Sequence, residues 1–371
     1  MRSLIFLFVA FCLTPPVVSA QPEVLKPGAV AGHVYCSDMN RPCRFAEVNI
    51  HRVQADFHAN KTGGTSFTPD KNAHSATTGI DGGFLITGVP PGDYYVRSHF
   101  AGYLDPFQVV FSETEAEETI PSEDLEKVLP RITVSAGMTT SSDLTLSRGA
   151  SLEGTVRYDD GAPAGFVNFC LYRKSTTGKW NKFGDSLVAG YRMTSFARTD
   201  DRGRFYFPGL PSGFYIVEAS LPQTRIIPGI GAGFSSNGAD SLRVFNGDKY
   251  RMKDAPPIEL KDGEDNHGID IVIPTNGLLA LQGFIIAKAD GHSLSKGTVS
   301  LLDPDDKTIL READIQKDGF FAFNYVTSGN YLVQVEAQAN AGELPYESLS
   351  VPLRVGSDMP DLTFAVSTKN R

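Results

Sequence analysis

Residues able to do acid–base or metal chemistry are few in this sequence, and they are scattered. The seven histidines are His33, His51, His58, His74, His99, His267 and His292. None opens a His-x-x-Glu run and none forms His-Glu-x-x-His, the helical spacing that sets two imidazoles and a general base on one zinc ion. His51, His58, His74 and His99 fall in one stretch, so strands can bring them together, although scattered histidines are most often surface groups. Gly149-Ala150-Ser151-Leu152-Glu153 lacks the closing glycine of a nucleophile elbow. No glycine-rich phosphate loop occurs. The acidic runs Asp303-Pro304-Asp305-Asp306 and 262–270 lack the glycine and terminal glutamate of a calcium loop at the required spacing, and hairpin turns favour aspartate for local reasons. The expectation is a non-enzymatic chain with no catalytic residue, no metal site and no cofactor.

The cysteines point to a compartment rather than a reaction. Cys12 lies in an apolar leader. Cys36 and Cys43 flank a short Ser37–Pro42 turn, which predicts a hairpin-closing disulfide in an oxidising compartment. Cys170 sits within a strand pattern and reads as a small buried apolar residue. The leader itself has Arg2, the apolar run Leu4–Leu13, Pro15-Pro16 and then Val18-Ser19-Ala20. That order predicts a signal peptide, 1–20, cleaved after Ala20. The apolar run is shorter than the roughly 20 residues a bilayer span needs, and the mature chain has no other candidate span. The expected location is secreted, periplasmic or extracellular. The chain ends at Arg371 without a sorting signal. A net charge of −9 disfavours a nucleic-acid partner.

What must position any site is a repeated ladder. From Gly203, the offsets +2, +4, +7, +10, +12 and +14 hold Phe205, Phe207, Leu210, Gly213, Tyr215 and Val217. From Gly82 they hold Phe84, Ile86, Val89, Gly92, Tyr94 and Val96, and from Gly319 they hold Phe321, Phe323, Val326, Gly329, Tyr331 and Val333. Agreement in three places without a gap is an internal repeat. The period within each copy is two, so each is a strand, a turn and a partner strand facing a core. Pro-x-Gly turns close the first two copies, while the third keeps only Gly329. A tyrosine two residues beyond such a turn predicts a tyrosine corner.

With 371 residues, 36 glycines and 23 prolines, the chain reads as all-β with many turns and no long helix. Opening strands at Gly32, Gly154 and Gly283 divide it into 27–147, 148–275 and 276–367. The expected fold is three tandem seven-stranded Greek-key β-sandwiches joined by short links, hence a stiff array. Residues 112–127 read as a solvated acidic loop. The second domain carries two long insertions, 174–198 and 222–257, holding Trp180, Phe183, Tyr191, Phe234 and Tyr250. Long insertions often carry function, and these aromatic residues are the candidate ligand-binding loops.

The order of strand, Gly-x-Val, Asp/Gly turn, Phe-x-Phe and Pro-x-Gly-x-Tyr resembles the carboxypeptidase regulatory-like domain, a transthyretin-like or prealbumin-like sandwich. The resemblance covers about 27–367 and implies a non-catalytic module of secreted or surface proteins, here of a bacterial type. The sequence also resembles the collagen-adhesin B-type domain, which implies a Lys–Asn isopeptide bond aided by an acidic residue. Glu218 and Glu336 lie on the same side of their strands, but the first copy has Arg97 and Ser98 there, and the strands at 32–34 and 154–156 hold no lysine. Two functions follow as expectations. One is binding of an envelope polysaccharide or surface protein; the other is a purely structural spacer. An unrecognised hydrolase or metal enzyme is a third.

Overall fold

Each ladder begins at a glycine with a left-handed backbone, φ 79° at Gly82, 74° at Gly203 and 83° at Gly319. A side chain there is disfavoured by clash with the following carbonyl, so glycine sets the turn that starts the strand. The strands that follow are Gly83–Val89, Arg204–Leu210 and Phe320–Thr327, and their partners are Gly92–His99, Gly213–Ser220 and Gly329–Ala337. A computed structural model of the chain describes residues 26–53, 56–58, 74–106, 110, 119–183, 197–221, 223–227, 231–235, 241–339, 344–357 and 359–369. The leader with its expected cleavage site lies outside the described residues.

The two ladder strands belong to different sheets, so each copy bridges the two layers of a sandwich. In the third sheet pair, Leu278–Ala287 is flanked by Phe320–Thr327 and Leu362–Val366. The facing sheet runs Ile309–Asp314, Gly297–Leu302, Gly329–Ala337 and Leu349–Val355. Ala150–Tyr158 and Gly28–Cys36 hold the same central place in the second and first pairs. In every pair the central strand is antiparallel to the ladder strand and parallel to the closing strand. The fold is all-β, in multiple packed sheets.

Glycine in the central strand answers a close approach by its parallel neighbour. A Cβ at Gly32 would stand 1.9 Å from the Ser142 carbonyl oxygen, at Gly154 1.8 Å from that of Ile269, and at Gly283 2.2 Å from that of Leu362. No side chain survives such a contact, so the repeated glycine is a packing requirement.

Inward residues of each ladder form a separate apolar cluster. Val34, Val48, Phe84, Ile86 and Val96 are in the first, and Leu152, Phe169, Phe205, Val217 and Ile271 in the second. Ile285, Val299, Phe321, Phe323 and Val333 are in the third. Phe169 meets Phe207 edge-on at 4.7 Å, a favoured quadrupole geometry. The tyrosine corner is present in all copies. The Tyr94 hydroxyl donates to the Pro90 carbonyl at 2.8 Å, that of Tyr215 to Pro211 at 2.5 Å and that of Tyr331 to Thr327 at 2.9 Å. The third copy thus keeps the bond without the proline, because the acceptor is a backbone carbonyl that any residue supplies.

Within its described part the acidic stretch is a short helix, Ser122–Glu126, where a loop was expected; its acidic side chains stay solvated while Leu125 is buried. The apolar residues among the charges fold down, as a one-turn amphipathic cover does.

Candidate functional site

The outward faces of the sheets carry the polar chemistry. Strand Gly213–Ser220 is buried on both sides. Tyr215, Val217 and Ala219 face the second core. Alternation puts Glu218 on the other face, where it is 3 % exposed. The Tyr172 hydroxyl donates to Glu218 Oε2 at 2.8 Å. Burial pushes the Glu218 carboxyl above its usual range, against the pull of the Arg243 charge, the Tyr172 hydrogen bond and the Lys182 charge. Burial, and then the Glu218 charge, push the Tyr172 hydroxyl upward as well. Cys170 pairs with Glu218 in register and is a buried thiol within a strand, as expected, on this outward side. The chemistry available is retention of a proton on a carboxyl group beside a phenol and a thiol.

The first sheet pair solves the equivalent position differently. Arg97 stands at the same ladder offset as Glu218 and is 2 % exposed. Its Nε donates to Asp105 Oδ1 at 2.9 Å, and its Nη2 pairs with Oδ2 of the same carboxylate. His99 Nδ1 lies 3.5 Å from Asp105 Oδ2. Burial raises the Asp105 carboxyl, but the His99 hydrogen bond and the Arg97 charge outweigh it and hold it below the ordinary range. His51 is buried on the same face, whereas His74 pairs in register with Ile50 and so faces the core side. His58 has no described side chain. Among the described residues no group of three His, Cys, Asp or Glu side chains is placed to hold a metal ion.

The candidate aromatic residues do not form one loop platform. Trp180 and Phe183 lie on a strand, Trp180–Phe183, antiparallel to Asn168–Lys174. Their loop assignment is corrected, because a turn at Gly178, φ 87°, returns the chain to the sheet edge. Phe183 is buried in the second core and meets Tyr215 edge-on at 5.9 Å. Trp180 faces outward, half-buried against the small cluster of Ile216, Phe245 and Ala255, with the Lys174 ammonium 5.8 Å from its ring. Tyr191 lies outside the described residues. Phe234 lies on Gly231–Ser235, which pairs with Gln223–Ile227. Tyr250 is exposed. The expected disulfide joins Cys36 and Cys43, with Cα atoms 5.4 Å apart.

Sequence reasoning missed the residues at the joints. At the first joint, Leu104 N–H donates to the Ser147 carbonyl at 2.9 Å and Gly149 N–H to that of Gly102 at 3.1 Å. The Arg148 guanidinium lies 5.6 Å from the Tyr103 ring centre. At the second joint, Asp303 is 1 % exposed and receives two cations from the preceding sheet pair, Arg251 Nη1 and Lys253 Nζ, each at 2.9 Å. Lys253 also reaches Asp305 at 2.7 Å. Arg243 Nη2 donates to the carbonyls of Ile309 and Leu310 at 2.9 and 2.8 Å, and Arg251 Nη2 donates to that of Asn330 at 2.8 Å. Burial opposes ionisation of Asp303, yet the Lys253 hydrogen bond and the Arg251 charge keep its carboxyl below the usual range. These partners are some 50 residues or more apart in sequence, so no local pattern marks them.

A wide groove of about 800 Å³ lies on the second sheet pair, lined by Glu153, Thr155, Arg198, Asp200, Arg204 and Asp270 among others. Its charges are largely matched within the protein. Arg204 pairs with Asp200 at 2.7 Å, Thr155 donates to Asp270 at 2.5 Å and His267 lies 2.7 Å from Glu153.

No family model matches the chain. It is similar to the serine-aspartate repeat-containing protein D of Staphylococcus aureus, 23 % identical over an alignment of 308 residues, with 78 % of this chain and 21 % of the relative covered. It is also similar to colossin-A of Dictyostelium discoideum, 25 % identical over an alignment of 283 residues, with 75 % of this chain and 2 % of the relative covered. The chain therefore spans about a fifth or less of the length of these curated relatives. Among solved structures it is similar to a streptococcal ancillary pilin, with 12 % identity, 93 % of this chain and all of the pilin covered, and a TM-score of 0.29.

Proposed function

We propose that the chain is a non-enzymatic β-sandwich repeat protein of the bacterial cell envelope, exported after cleavage near Ala20. Its domains are carboxypeptidase regulatory-like, 27–147, 148–275 and 276–367, and its role is that of a stiff spacer. The observation that carries this reading is the joint at Asp303. A carboxylate covered and paired by Arg251 and Lys253 ties two sandwiches together, since separating them gives up both charge-assisted contacts at once. Backbone hydrogen bonds at the Gly102–Gly149 joint act in the same sense. The similarity to about a fifth of the length of a serine-aspartate repeat-containing protein supports a modular role.

Spin labels on the second and third domains test the spacer. A narrow distribution of label distances at neutral pH is expected, and it broadens in Asp303→Asn. A broad distribution in the unaltered protein overturns the reading. Binding of an envelope polysaccharide or surface protein is the second reading, favoured by the exposed ring of Tyr250 beside this joint.

A further inference from the structure

We propose that Asn276 is a site of spontaneous deamidation, closing a cyclic imide onto Gly277, and that the carboxylate so formed loosens the joint between the second and third sheet pairs. The Gly277 backbone nitrogen attacks the side-chain carbonyl carbon of Asn276. The C–N bond of the amide breaks, and its nitrogen leaves as ammonia. Water then opens the ring at either carbonyl, giving aspartate or its isomer with the main chain routed through the side chain. Water is the sole co-reactant, and nothing is oxidised or reduced. Glycine after the asparagine eases closure, because no Cβ crowds the attacking nitrogen and the backbone turns freely.

Asn-Gly occurs three times in the chain, and the structure separates the copies. Asn237-Gly238 lies outside the described residues. Asn246 is buried, and both ends of its amide are held. Its Oδ1 accepts from the Val217 N–H at 3.0 Å and its Nδ2 donates to the Pro256 carbonyl at 2.6 Å. Turning that amide toward Gly247 breaks two hydrogen bonds away from water. Thr275, Asn276 and Gly277 are all exposed. Among the described residues the Asn276 amide makes one hydrogen bond, from Nδ2 to the Thr275 hydroxyl at 3.2 Å. Gly277 stands in open space, with φ 74° and no atom within 4 Å of where a Cβ would lie. Its N–H donates to no group among the described residues. Nucleophile and amide are thus both accessible at 276–277 and locked at 246–247.

A count of protons says what the new carboxylate does. The Thr275 hydroxyl accepts from Asn276 Nδ2 and donates to Asp159 Oδ1. That hydroxyl, helped by the Thr275 and Asn276 backbone N–H groups, holds the Asp159 carboxyl below its usual range. The Asp159 N–H donates to the Ile273 carbonyl at 3.1 Å. These bonds tie the link at 274–277 to the turn that follows Ala150–Tyr158. A hydroxyl has one proton to give. After deamidation the side chain at 276 only accepts, so it and Asp159 both need that proton, and two negative charges flank one hydroxyl. The isomer also lengthens the main chain of a short link. The link at the first joint, Ser147-Arg148-Gly149, holds no asparagine, so the change is confined to the second.

Ageing the full chain in warm, mildly alkaline buffer, followed by peptide mass mapping and an isoaspartate assay, tests the chemical step. The peptide carrying Asn276 is expected to convert to the acid about tenfold or more faster than the one carrying Asn246, the difference that two buried hydrogen bonds impose. Asn276→Gln must close a larger ring and is expected to stay unmodified at that position. An unchanged Asn276 peptide, or equal conversion of Asn246, overturns the proposal. The loosening rests on the spacer reading and is read separately, with spin labels on the second and third domains. Fresh protein, and Asn276→Gln at every age, should give a narrow distance distribution; aged protein and fresh Asn276→Asp should lose the narrow peak. A narrow peak that survives complete conversion overturns the loosening. A broad distribution in fresh protein overturns the spacer reading together with the loosening, and leaves deamidation standing on its mass shift.

Discussion

Arg97 and Glu218 occupy the same outward position of the same ladder, carry opposite charges and are both buried. The third copy has Gln334 there, half-buried, with its amide donating to Glu336 at 2.6 Å. The inward positions +2, +4, +7, +12 and +14 of the three copies hold only apolar or aromatic residues, because each must fill a close-packed core. Outward positions are free of that demand and diverge as soon as something covers them. In the first sheet pair the cover brings Asp105, which neutralises Arg97 through two nitrogens. In the second, the described partner of Glu218 is the neutral Tyr172 hydroxyl, and the carboxyl answers by holding its proton more tightly. One buried charge is paired and the other is suppressed.

The largest effect should come from breaking the paired case. Arg97→Met leaves Asp105 buried without its guanidinium and is expected to cost about 3–5 kcal/mol in denaturant unfolding. A cost below about 1 kcal/mol would mean that the pair does not differ from a surface contact.

The suppressed case should respond in the opposite direction. The Glu218 carboxyl is raised in the folded protein, so the native state binds more protons than the unfolded state above the ordinary value of 4.5. Stability contributed by the protonated group is full below that value and is lost as pH rises through the folded pKa. Glu218→Gln should therefore raise the unfolding midpoint at pH 7 and flatten its decline above pH 4.5. An unchanged pH profile would show that Glu218 is ionised at no cost.

Smaller effects should separate scaffold from surface. Tyr215→Phe removes a buried corner hydrogen bond and is expected to cost about 1 kcal/mol, with Tyr331→Phe similar. Gln334→Met should stay within about 0.5 kcal/mol, and a larger loss would place the third copy with the other two.

The inward half of this comparison was legible in the sequence. Period-two apolar residues, the turn glycines, the corner tyrosines and the Cys36–Cys43 hairpin each rest on local chemistry, and the structure shows all-β sheets built on them. The outward half was not. Arg97 meets Asp105 through a connecting segment, and Asp303 meets Arg251 and Lys253 across a joint, with no repeating signal to announce either. The length of 174–198 points to a loop at Trp180 and Phe183, whose spacing of three carries no period-two signal, yet the strand they form turns Phe183 inward.

The parallel pairing of central and closing strands has a mechanical consequence. In the second sheet pair the chain enters on Ala150–Tyr158 and leaves on the neighbouring Asp265–Ile273, running in the same direction. The third pair does the same with Leu278–Ala287 and Leu362–Val366. Tension along the polypeptide therefore draws these two strands past each other lengthwise. The hydrogen bonds between them share the force together instead of opening one at a time, as they would in a pulled hairpin. Resistance to pulling is set by the unfolding rate rather than by equilibrium stability, so a chain wired this way can be hard to extend while remaining modest in its free energy of folding.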